Sequence, residues 1–353
     1  MSSVVHPQAL SLDVHQLQCL PGMTHASSPQ VTGLTQPEIV DGHKFHPTTE
    51  AGGDDISHPG TVAFDEAMLD HYTDSELFSF IENAPNIVTT RVEATKTLSQ
   101  NLVAKIIHNT ERDDEIAAIE FARKLGILVP AVRRALIHPD EMLGSCLVLE
   151  RVHGRTLEQL WAEIGWRRTL RVAWQLRRYL QKMHAVTSLK AGGLATGSVC
   201  STSFQGLYPP VSYASPEAFT GYINWWLTKC RPRQRQPCHD LTLEPLRQHV
   251  FVHQDIAPRN MILDARNRLW LIDWGFAGFY PPYMEYIGIE AAEMPWLRAS
   301  TWHARLARWR WTVLRWIAAG PTGPHIRPFK ALGEVHRRSC LFRTEKTPYS
   351  QVD

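Results

Sequence analysis

The sequence predicts an α+β fold, because it contains both short apolar segments of strand length and longer patterns with a helical period. Short apolar runs of strand length occur at residues 87–92, 101–107 and 146–152. A hairpin pattern follows, in which two apolar segments, 261–263 and 269–272, flank a polar turn. Longer patterns with a helical period occur at 169–185, 217–229 and 302–319.

Composition restricts the class of protein. The 353 residues are 44% hydrophobic and 20% charged, as in a globular protein, and the net charge of +2 does not call for a nucleic-acid partner. No apolar run is long enough for a membrane span, and no signal peptide is recognisable at the start. The six cysteines lack a paired spacing, which predicts reduced thiols and a cytoplasmic protein. Cys230, Cys238 and His239 are too sparse to predict a zinc site.

Residues 1–72 are predicted to be a disordered extension. Seven of the 17 histidines lie between His6 and His71, and Lys44 is the only Lys or Arg before Arg91. Apolar residues there follow neither a helical nor a strand period, so the segment is not expected to form a packed core.

The folded region is predicted to begin with a helix and two strands. Thr73 and Glu76 have capping-box spacing, and the helix that follows should end before Pro85. Strand 87–92 should connect to strand 101–107 through a loop at 95–100. Lys105 is the one charge in the second strand, and a buried lysine requires an anionic partner.

A helix from Asp113 offers two such partners. Glu115 is the candidate, and Glu120 is its rival, which is more simply read as a surface charge. Helix 169–185 should bury one apolar face, made of Val172, Leu176, Tyr179, Leu180 and Met183.

The last predicted helix, 302–319, is basic and rich in tryptophan. Its apolar stripe consists of Trp302, Leu306, Trp309, Val313 and Trp316. A helix of this kind can bind a membrane surface, but a position within a large domain favours packing of the stripe in the interior. The remaining residues, 321–353, are predicted to be a basic, loop-like tail.

The strongest motif lies at residues 251–278. It reads His253-x-Asp255, then Asn260 before the first hairpin strand, and Asp273-x-Gly275 after the second. A hairpin returns residues on either side of it to one edge, so the three polar side chains should lie together. As ordinary loop residues they would not need this complete spacing.

This spacing resembles the catalytic loop and metal-binding turn of the protein-kinase superfamily. The flanking sequences Ile272-Asp273-Trp274 and Ala277-Gly278-Phe279-Tyr280-Pro281 resemble those of the aminoglycoside-phosphotransferase (APH) and choline-kinase branch, and of fungal APH-domain proteins in particular. The resemblance implies a two-lobed protein-kinase-like fold. The small, β-rich, nucleotide-binding N-lobe would span 73–152, and the mostly helical C-lobe would span 153–320.

The resemblance also implies a role for each site residue. Asp255 would face the acceptor hydroxyl, and Asn260 and Asp273 would be ligands of Mg²⁺. Lys105, fixed by Glu115, would contact the α- and β-phosphates of ATP. The backbone from Glu150 to Val152 would meet the adenine. His253 would hold the loop through hydrogen bonds and take no part in the chemistry.

The function implied is transfer of the γ-phosphoryl of ATP to a hydroxyl of a small molecule. The alternative is a pseudokinase, which would bind nucleotide or a partner without turnover. It is suggested by the lack of any glycine between Asn86 and Lys105, where kinases have a flap over the phosphates.

The charge pattern of the predicted acceptor side argues against a polycationic acceptor. Residues 284–353 carry six acids against eleven bases, and 192–249 add three acids. A neutral or weakly charged metabolite is therefore expected.

Overall fold

The structure, a computed structural model, describes most of the chain from Phe64 onward. The described residues are 64–89, 94–137, 144–201, 203, 209–229, 241–291, 301–339 and 347–350. The predicted disorder of residues 1–63 lies outside these ranges.

The N-lobe is a five-stranded antiparallel sheet with two helices. The first helix precedes the sheet in the sequence, and the second follows its third strand. Its strands have the spatial order β1-β2-β3-β5-β4. They are β1 (Asn86–Thr89), β2 (Ala94–Thr97), β3 (Leu102–Ile107), β4 (Val132–Ile137) and β5 (Ser145–Glu150). The helices are α1 (Asp74–Asn83) and α2 (Asn109–Lys124). The predicted capping box of α1 is present: Thr73 accepts from the Glu76 amide, and the Glu76 carboxylate accepts from Thr73.

Three features of the N-lobe differ from the predictions. The loop expected at 95–100 contains part of strand β2, and strand β4 was not predicted. Strand β4 carries two consecutive arginines, Arg133 and Arg134, after Val132, so it lacks a continuous apolar run. Helix α2 begins at Asn109, four residues before Asp113.

Residues 64–72 belong to the N-lobe and not to the N-terminal extension. Phe64 and Tyr72 stack with centroids 5.7 Å apart, and both rings contact Phe80 of α1. Arg134 donates to the Leu69 carbonyl at 2.8 Å, which ties this segment to β4.

The C-lobe consists of helices around two three-stranded sheets. One sheet has the order β10-β9-β6 and the other β11-β8-β7. The strands are β6 (Gly154–Thr156), β7 (Thr187–Ser188), β8 (His249–Val252), β9 (Met261–Asp264), β10 (Leu269–Leu271) and β11 (Gly278–Tyr280). The helices are α3 (Leu157–Leu160), α4 (Trp166–His184), α5 (Pro216–Lys229), α6 (Tyr283–Ala291), α7 (Trp302–Ala319) and α8 (Ile326–Ser339).

A shared apolar core connects the two lobes. Leu147 of β5 and Ile119 of α2 belong to the same buried cluster as Leu271 of β10, Met183 of α4 and Leu314 of α7. The predicted face of α4 is buried as expected: all five of its apolar residues are inaccessible or nearly so. No helix among the described residues is long and apolar enough to cross a membrane.

Two predictions for the C-terminal part are wrong. The segment 321–353, expected to be a loop-like tail, contains α8, whose Ala331, Leu332 and Val335 are buried with residues of α5. Helix α7 buries the opposite face from the one predicted. Its interior face is Ala304, Ala307, Trp311, Leu314 and Ala318.

The predicted stripe of α7 is largely exposed. Trp302, Trp309 and Trp316 are 67%, 57% and 61% exposed, and Leu306 is 41% exposed. Small alanines on the other face allow α7 to approach α4 closely, and three bulky indoles would not fit in that space.

Candidate functional site

Lys105 on β3 is the residue that joins the two halves of the site. Its ammonium lies 2.9 Å from Glu115 of α2 and 2.7 Å from Asp273, which follows β10. Glu115 and Lys105 are buried, whereas Glu120 is exposed, so Glu115 is the partner of the lysine. The structure therefore brings together three residues that the sequence separates by up to 168 positions.

The electrostatics of this cluster distinguish its two carboxylates. Burial raises the pKa of Glu115, and attraction to Lys105 opposes that shift only in part. Burial would also raise the pKa of Asp273, but the ammonium of Lys105 and its hydrogen bond lower that pKa below its ordinary value. Asp273 is thus the carboxylate held in its ionised form, as a metal ligand must be.

The loop before β9 holds Asp255 at the centre of a second cluster. Arg259 donates to both carboxylate oxygens of Asp255, at 2.8 and 2.6 Å. Asn260 donates through Nδ2 to Asp255 Oδ2 at 2.8 Å and to the Asp255 carbonyl at 3.0 Å. Because Nδ2 of Asn260 is used in this way, its carbonyl oxygen Oδ1 is the atom left for a cation.

The hairpin places Asn260 beside Asp273. Met261 pairs with Leu271 at the open end of β9 and β10. The Ile272 amide then donates to the Asn260 carbonyl at 3.0 Å, one residue before Asp273. Asp273 has a φ of 68°, a left-handed conformation that is uncommon outside glycine and is tolerated by aspartate. Together, the register and this turn put the two predicted metal ligands at one edge.

His253 makes hydrogen bonds to the backbone on both sides of the hairpin. Its Nδ1 accepts from the Asp255 amide at 3.2 Å, and its Nε2 lies 3.1 Å from the Ile272 carbonyl. Burial lowers the pKa of His253 below its ordinary value, which keeps the ring neutral and able to accept at Nδ1. These contacts fit a structural role and leave no ring nitrogen for proton transfer.

Helix α6 supports the same loop through two residues that sequence reasoning missed. The carboxylate of Glu285 accepts from the amides of His253 and Gln254, at 2.7 and 3.1 Å. A Cβ on Gly288 would lie 2.0 Å from the Gln254 carbonyl oxygen, so only glycine permits this approach. No local pattern signals these contacts, because α6 follows the loop by some thirty residues.

Arg259 is a third residue that the sequence interpretation left out. It lies within the motif, one position before Asn260, and its charge sits against Asp255. Its position in the sequence between Asp255 and Asn260 could have identified it as a candidate site residue. Half of its side chain is exposed, so it has room to move toward an anionic ligand.

Hydrogen bonds within the segment that joins the lobes reduce the number of backbone groups that could contact adenine. The Glu150 amide donates to the Ala131 carbonyl at 2.8 Å, and the Glu150 carboxylate accepts from the Ala131 amide at 3.1 Å. The Arg151 amide donates to the Asn101 carbonyl at 2.7 Å, so neither it nor the Glu150 amide is left as an adenine partner. The predicted contact with nucleotide stays a prediction.

The oxygen donors of the site suit Mg²⁺. A carboxylate, Asp273, and an amide oxygen, Asn260, are hard ligands of the kind that this cation takes. Among the described residues, no three His, Cys, Asp or Glu side chains are grouped to hold a metal by themselves. A magnesium ion here would accordingly take further oxygens from phosphates and water.

Comparisons with known proteins agree with the motif. A family model described as the phosphotransferase enzyme family (APH) matches residues 89–319. A probable casein kinase II subunit alpha homolog of Encephalitozoon cuniculi (strain GB-M1) is 51% identical over 37 residues, which are 10% of this chain and 12% of that protein.

Several solved structures are similar in outline. The GDP complex of aminoglycoside 2'-phosphotransferase-IIIa is 14% identical, covers 76% of this chain and 90% of its own, and has a TM-score of 0.46. Aminoglycoside phosphotransferase APH(3'')-Id from Streptomyces rimosus is 16% identical, with coverages of 76% and 98% and a TM-score of 0.45. The streptomycin–ATP complex of APH(2")-IIa is 14% identical, with coverages of 77% and 87% and a TM-score of 0.44.

The family model spans the N-lobe strand that carries Lys105, the loop with Asp255 and Asn260, and the turn with Asp273. The predicted likeness to fungal members in particular stays a prediction. Since the matched segment is well over half of the 353 residues, the chain belongs to the phosphotransferase enzyme family (APH), and its fold is α+β.

Proposed function

We propose that the protein transfers the γ-phosphoryl of ATP to a hydroxyl of a small molecule, with Mg²⁺ as the metal. The observation that carries this proposal is the convergence of Lys105, Glu115 and Asp273 at distances of 2.7 to 3.0 Å. A buried ammonium between two carboxylates is costly to maintain as a purely structural feature. It suits a site where phosphates and a cation replace some of these contacts.

Each side chain has a defined part in the proposed reaction. Lys105, held by Glu115, releases Asp273 and donates to the nucleotide phosphates. Asn260 and Asp273 present oxygens to the cation. When bound, Mg²⁺ neutralises charge on the β- and γ-phosphates. Asp255 accepts a hydrogen bond from the acceptor hydroxyl and orients it toward the phosphorus.

Arg259 is proposed to act on the charge of Asp255 and of the transferred group. Without ligands its guanidinium neutralises Asp255. When an acceptor hydroxyl takes its place beside Asp255, the half-exposed Arg259 can turn toward the phosphoryl oxygens, where charge accumulates during transfer. Binding of the acceptor thus frees Arg259 from Asp255, so that it can stabilise the transferred phosphoryl group.

The acceptor is proposed to be neutral or weakly charged. Of the six acids after residue 284, Glu285 is buried under the catalytic loop, and Glu290 contacts Arg315. Two acids are therefore committed within the fold, which leaves fewer to receive the ammonium groups of a polycation. Saturation by a kanamycin-like compound at low concentration would contradict this part of the proposal.

The test is a γ-phosphoryl transfer assay with MgATP across a panel of sugars, amino alcohols and hydroxylated secondary metabolites. Asp255→Asn should lower turnover on any accepted compound by about 10²- to 10⁴-fold, since an oriented carboxylate contributes on that scale. MgATP binding by this variant should persist. Glu120→Gln, which removes an exposed carboxylate of α2, is the matched control and should keep full turnover.

Two results would contradict the proposal. Turnover that survives Asp255→Asn would remove the assigned role of that carboxylate. Binding of MgATP by the wild type with neither transfer nor hydrolysis would favour the pseudokinase, which the missing flap glycines suggest.

A further inference from the structure

An exposed aromatic surface lies on α4 and α7, and none of its residues belongs to the candidate site. We call it the Trp surface and define it as Leu170, Trp174, Trp302, Leu306, Trp309 and Trp316. Each of its four tryptophans is 57% or more exposed. The two helices adjoin along this surface: Trp166 of α4 contacts Trp309 with centroids 4.8 Å apart, and Arg177 donates to the Ile317 carbonyl at 2.9 Å.

The Trp surface is ordered along α7 and is not a scatter of single residues. Trp302, Leu306, Trp309 and Trp316 recur at helical spacing, so they form one stripe along the helix. This stripe lies opposite the buried face described above. An 18-residue helix is about 27 Å long at 1.5 Å per residue, so the stripe spans a distance well beyond a single contact.

The charge of both helices has one sign. Helices α4 and α7 contain ten Lys and Arg and no Asp or Glu. Some of these bases serve the fold: Arg310 donates to the Trp161 and Ile164 carbonyls, and Arg315 contacts Glu290. The exposed arginines of the two helices are Arg167, Arg168, Arg171, Arg178, Arg305 and Arg308.

Helical geometry places most of these exposed arginines beside the Trp surface. Arg167, Arg171 and Arg178 lie on the side of α4 remote from α7, next to Leu170 and Trp174. Arg305 and Arg308 lie on the side of α7 remote from α4. The apolar centre is therefore bordered by positive charge along both edges.

We propose that the Trp surface rests on the headgroup region of an anionic lipid membrane, with α4 and α7 lying along its plane. Indole rings partition into the membrane interface, and flanking arginines are attracted by acidic headgroups. An identical second copy fits less well, because a two-fold contact would oppose two positive surfaces. A single-stranded nucleic acid would need a groove, whereas the stripe stands on the outer side of α7.

The experiment measures co-sedimentation of the full chain with phosphatidylcholine vesicles that contain or lack phosphatidylserine. The aromatic variant is Trp302→Ala/Trp316→Ala, and its control is Leu189→Ala, which removes an equally exposed apolar side chain from another position. The charge variant is Arg167→Gln/Arg171→Gln, and its control is Arg123→Gln/Arg133→Gln, which removes two exposed arginines from the N-lobe.

The wild type should bind the anionic vesicles, and this binding should weaken as salt is added. The aromatic variant should lose about tenfold or more in binding, and the charge variant a comparable factor, since each arginine near an anionic surface contributes roughly fivefold. Both control variants should bind as the wild type does. The tryptophan emission of the wild type should shift to shorter wavelength on anionic vesicles.

Any of four results would overturn the proposal. These are no binding to anionic vesicles, equal binding to vesicles without phosphatidylserine, wild-type binding by the aromatic variant, or a concentration-dependent dimer that the aromatic variant abolishes in the absence of lipid. Retention of single-stranded nucleic acid without retention of vesicles would likewise assign the surface to another partner.

Discussion

At the scale of single residues, the site depends on charges that are buried in contact with one another. Lys105 is the clearest case, because the ammonium has two carboxylates as partners and little access to water. A lysine that faced water from an edge strand could be removed with little loss of stability. The contacts predict the opposite, since the loss leaves Glu115 and Asp273 facing each other without a cation.

Lys105→Met is expected to destabilise the protein by about 3 kcal/mol or more, the scale of breaking one side of a buried pair. It should also weaken MgATP binding. Denaturant unfolding and nucleotide titration measure the two effects, with Lys124→Met on the exposed end of α2 as a control. Adding Glu115→Gln to Lys105→Met should restore part of the stability. A loss no larger than in the control would mean that the lysine faces water.

Glu285 is a buried carboxylate whose ionisation couples stability to pH. Burial raises its pKa to about 7 from an ordinary value of 4.5, against the two amide hydrogen bonds that lower it. Between these values the folded protein binds a proton that the unfolded chain does not bind. This contribution is fully present below about pH 4.5 and is lost as the pH rises through about 7.

Glu285→Gln should remove this dependence. The free energy of unfolding of the wild type, relative to the variant, should fall from pH 5 to pH 8 by on the order of 3 kcal/mol at most. Urea unfolding of both proteins at the two pH values measures this difference, with Glu120→Gln as a control for the loss of one charge. Parallel pH profiles for wild type and Glu285→Gln would refute the assignment.

At the scale of elements, two helices contact the candidate catalytic loop and its hairpin. Helix α4 binds the hairpin backbone: Gln175 accepts from the Leu269 amide at 3.0 Å, and Tyr179 donates to the Leu269 carbonyl at 2.9 Å. Helix α6 binds the loop through Glu285 and Gly288. The position of Asp255 thus depends on packing between elements as well as on the motif.

Gly288→Ala tests the packing of α6 against this loop. The added methyl would lie 2.0 Å from the Gln254 carbonyl oxygen. This oxygen belongs to the backbone, which cannot move aside as easily as the end of a flexible side chain. We expect a loss of about 1–3 kcal/mol in stability, with reduced turnover, because the shift moves the loop that carries Asp255.

The control is Gly333→Ala in the middle of α8, where a Cβ would meet no atom within 4 Å. That variant should gain up to about 1 kcal/mol from helix propensity. Thermal unfolding and the transfer assay compare the two variants. Equal behaviour of Gly288→Ala and Gly333→Ala would show that the close approach of α6 is unimportant.

At the scale of the whole molecule, the site and the core both cross from one lobe to the other. The cluster that contains Leu147 of the N-lobe also contains Leu271 of the C-lobe hairpin. Lys105 and Asp273 make the corresponding polar contact. A nucleotide that binds between them should therefore stabilise the protein as a whole.

MgATP at about 100 times its dissociation constant should stabilise the folded state by about 2.7 kcal/mol, seen as a rise in the midpoint of thermal unfolding. Asp273→Ala should lose the part of this rise that depends on Mg²⁺, because it removes a proposed ligand. Asp255→Asn should retain it, since Asp255 is assigned to the acceptor. A full Mg²⁺-dependent rise in Asp273→Ala would remove the metal assignment.

The sequence by itself determined the features whose partners are close in the chain. The capping box of α1, the apolar face of α4 and the hairpin between Asn260 and Asp273 all follow from local spacing. Lys105 and Glu115 are also near neighbours, ten positions apart, on a strand and the helix that follows it. For the first three features a short connection leaves few arrangements, so pattern and spacing suffice, whereas spacing left Glu120 as a rival to Glu115 until burial distinguished them.

Only the tertiary structure decided which face of α7 is buried and which distant groups meet. Both faces of α7 are apolar, so its periodicity could not choose between them. The alanine-rich face, which includes Trp311, is buried because its small side chains let α4 approach, and Trp302, Trp309 and Trp316 stay outside because a face of three indoles does not fit between the helices. The contact of Glu285 with the loop that carries Asp255 was likewise hidden, since a buried hydrogen bond between separate elements leaves no periodic trace in the sequence.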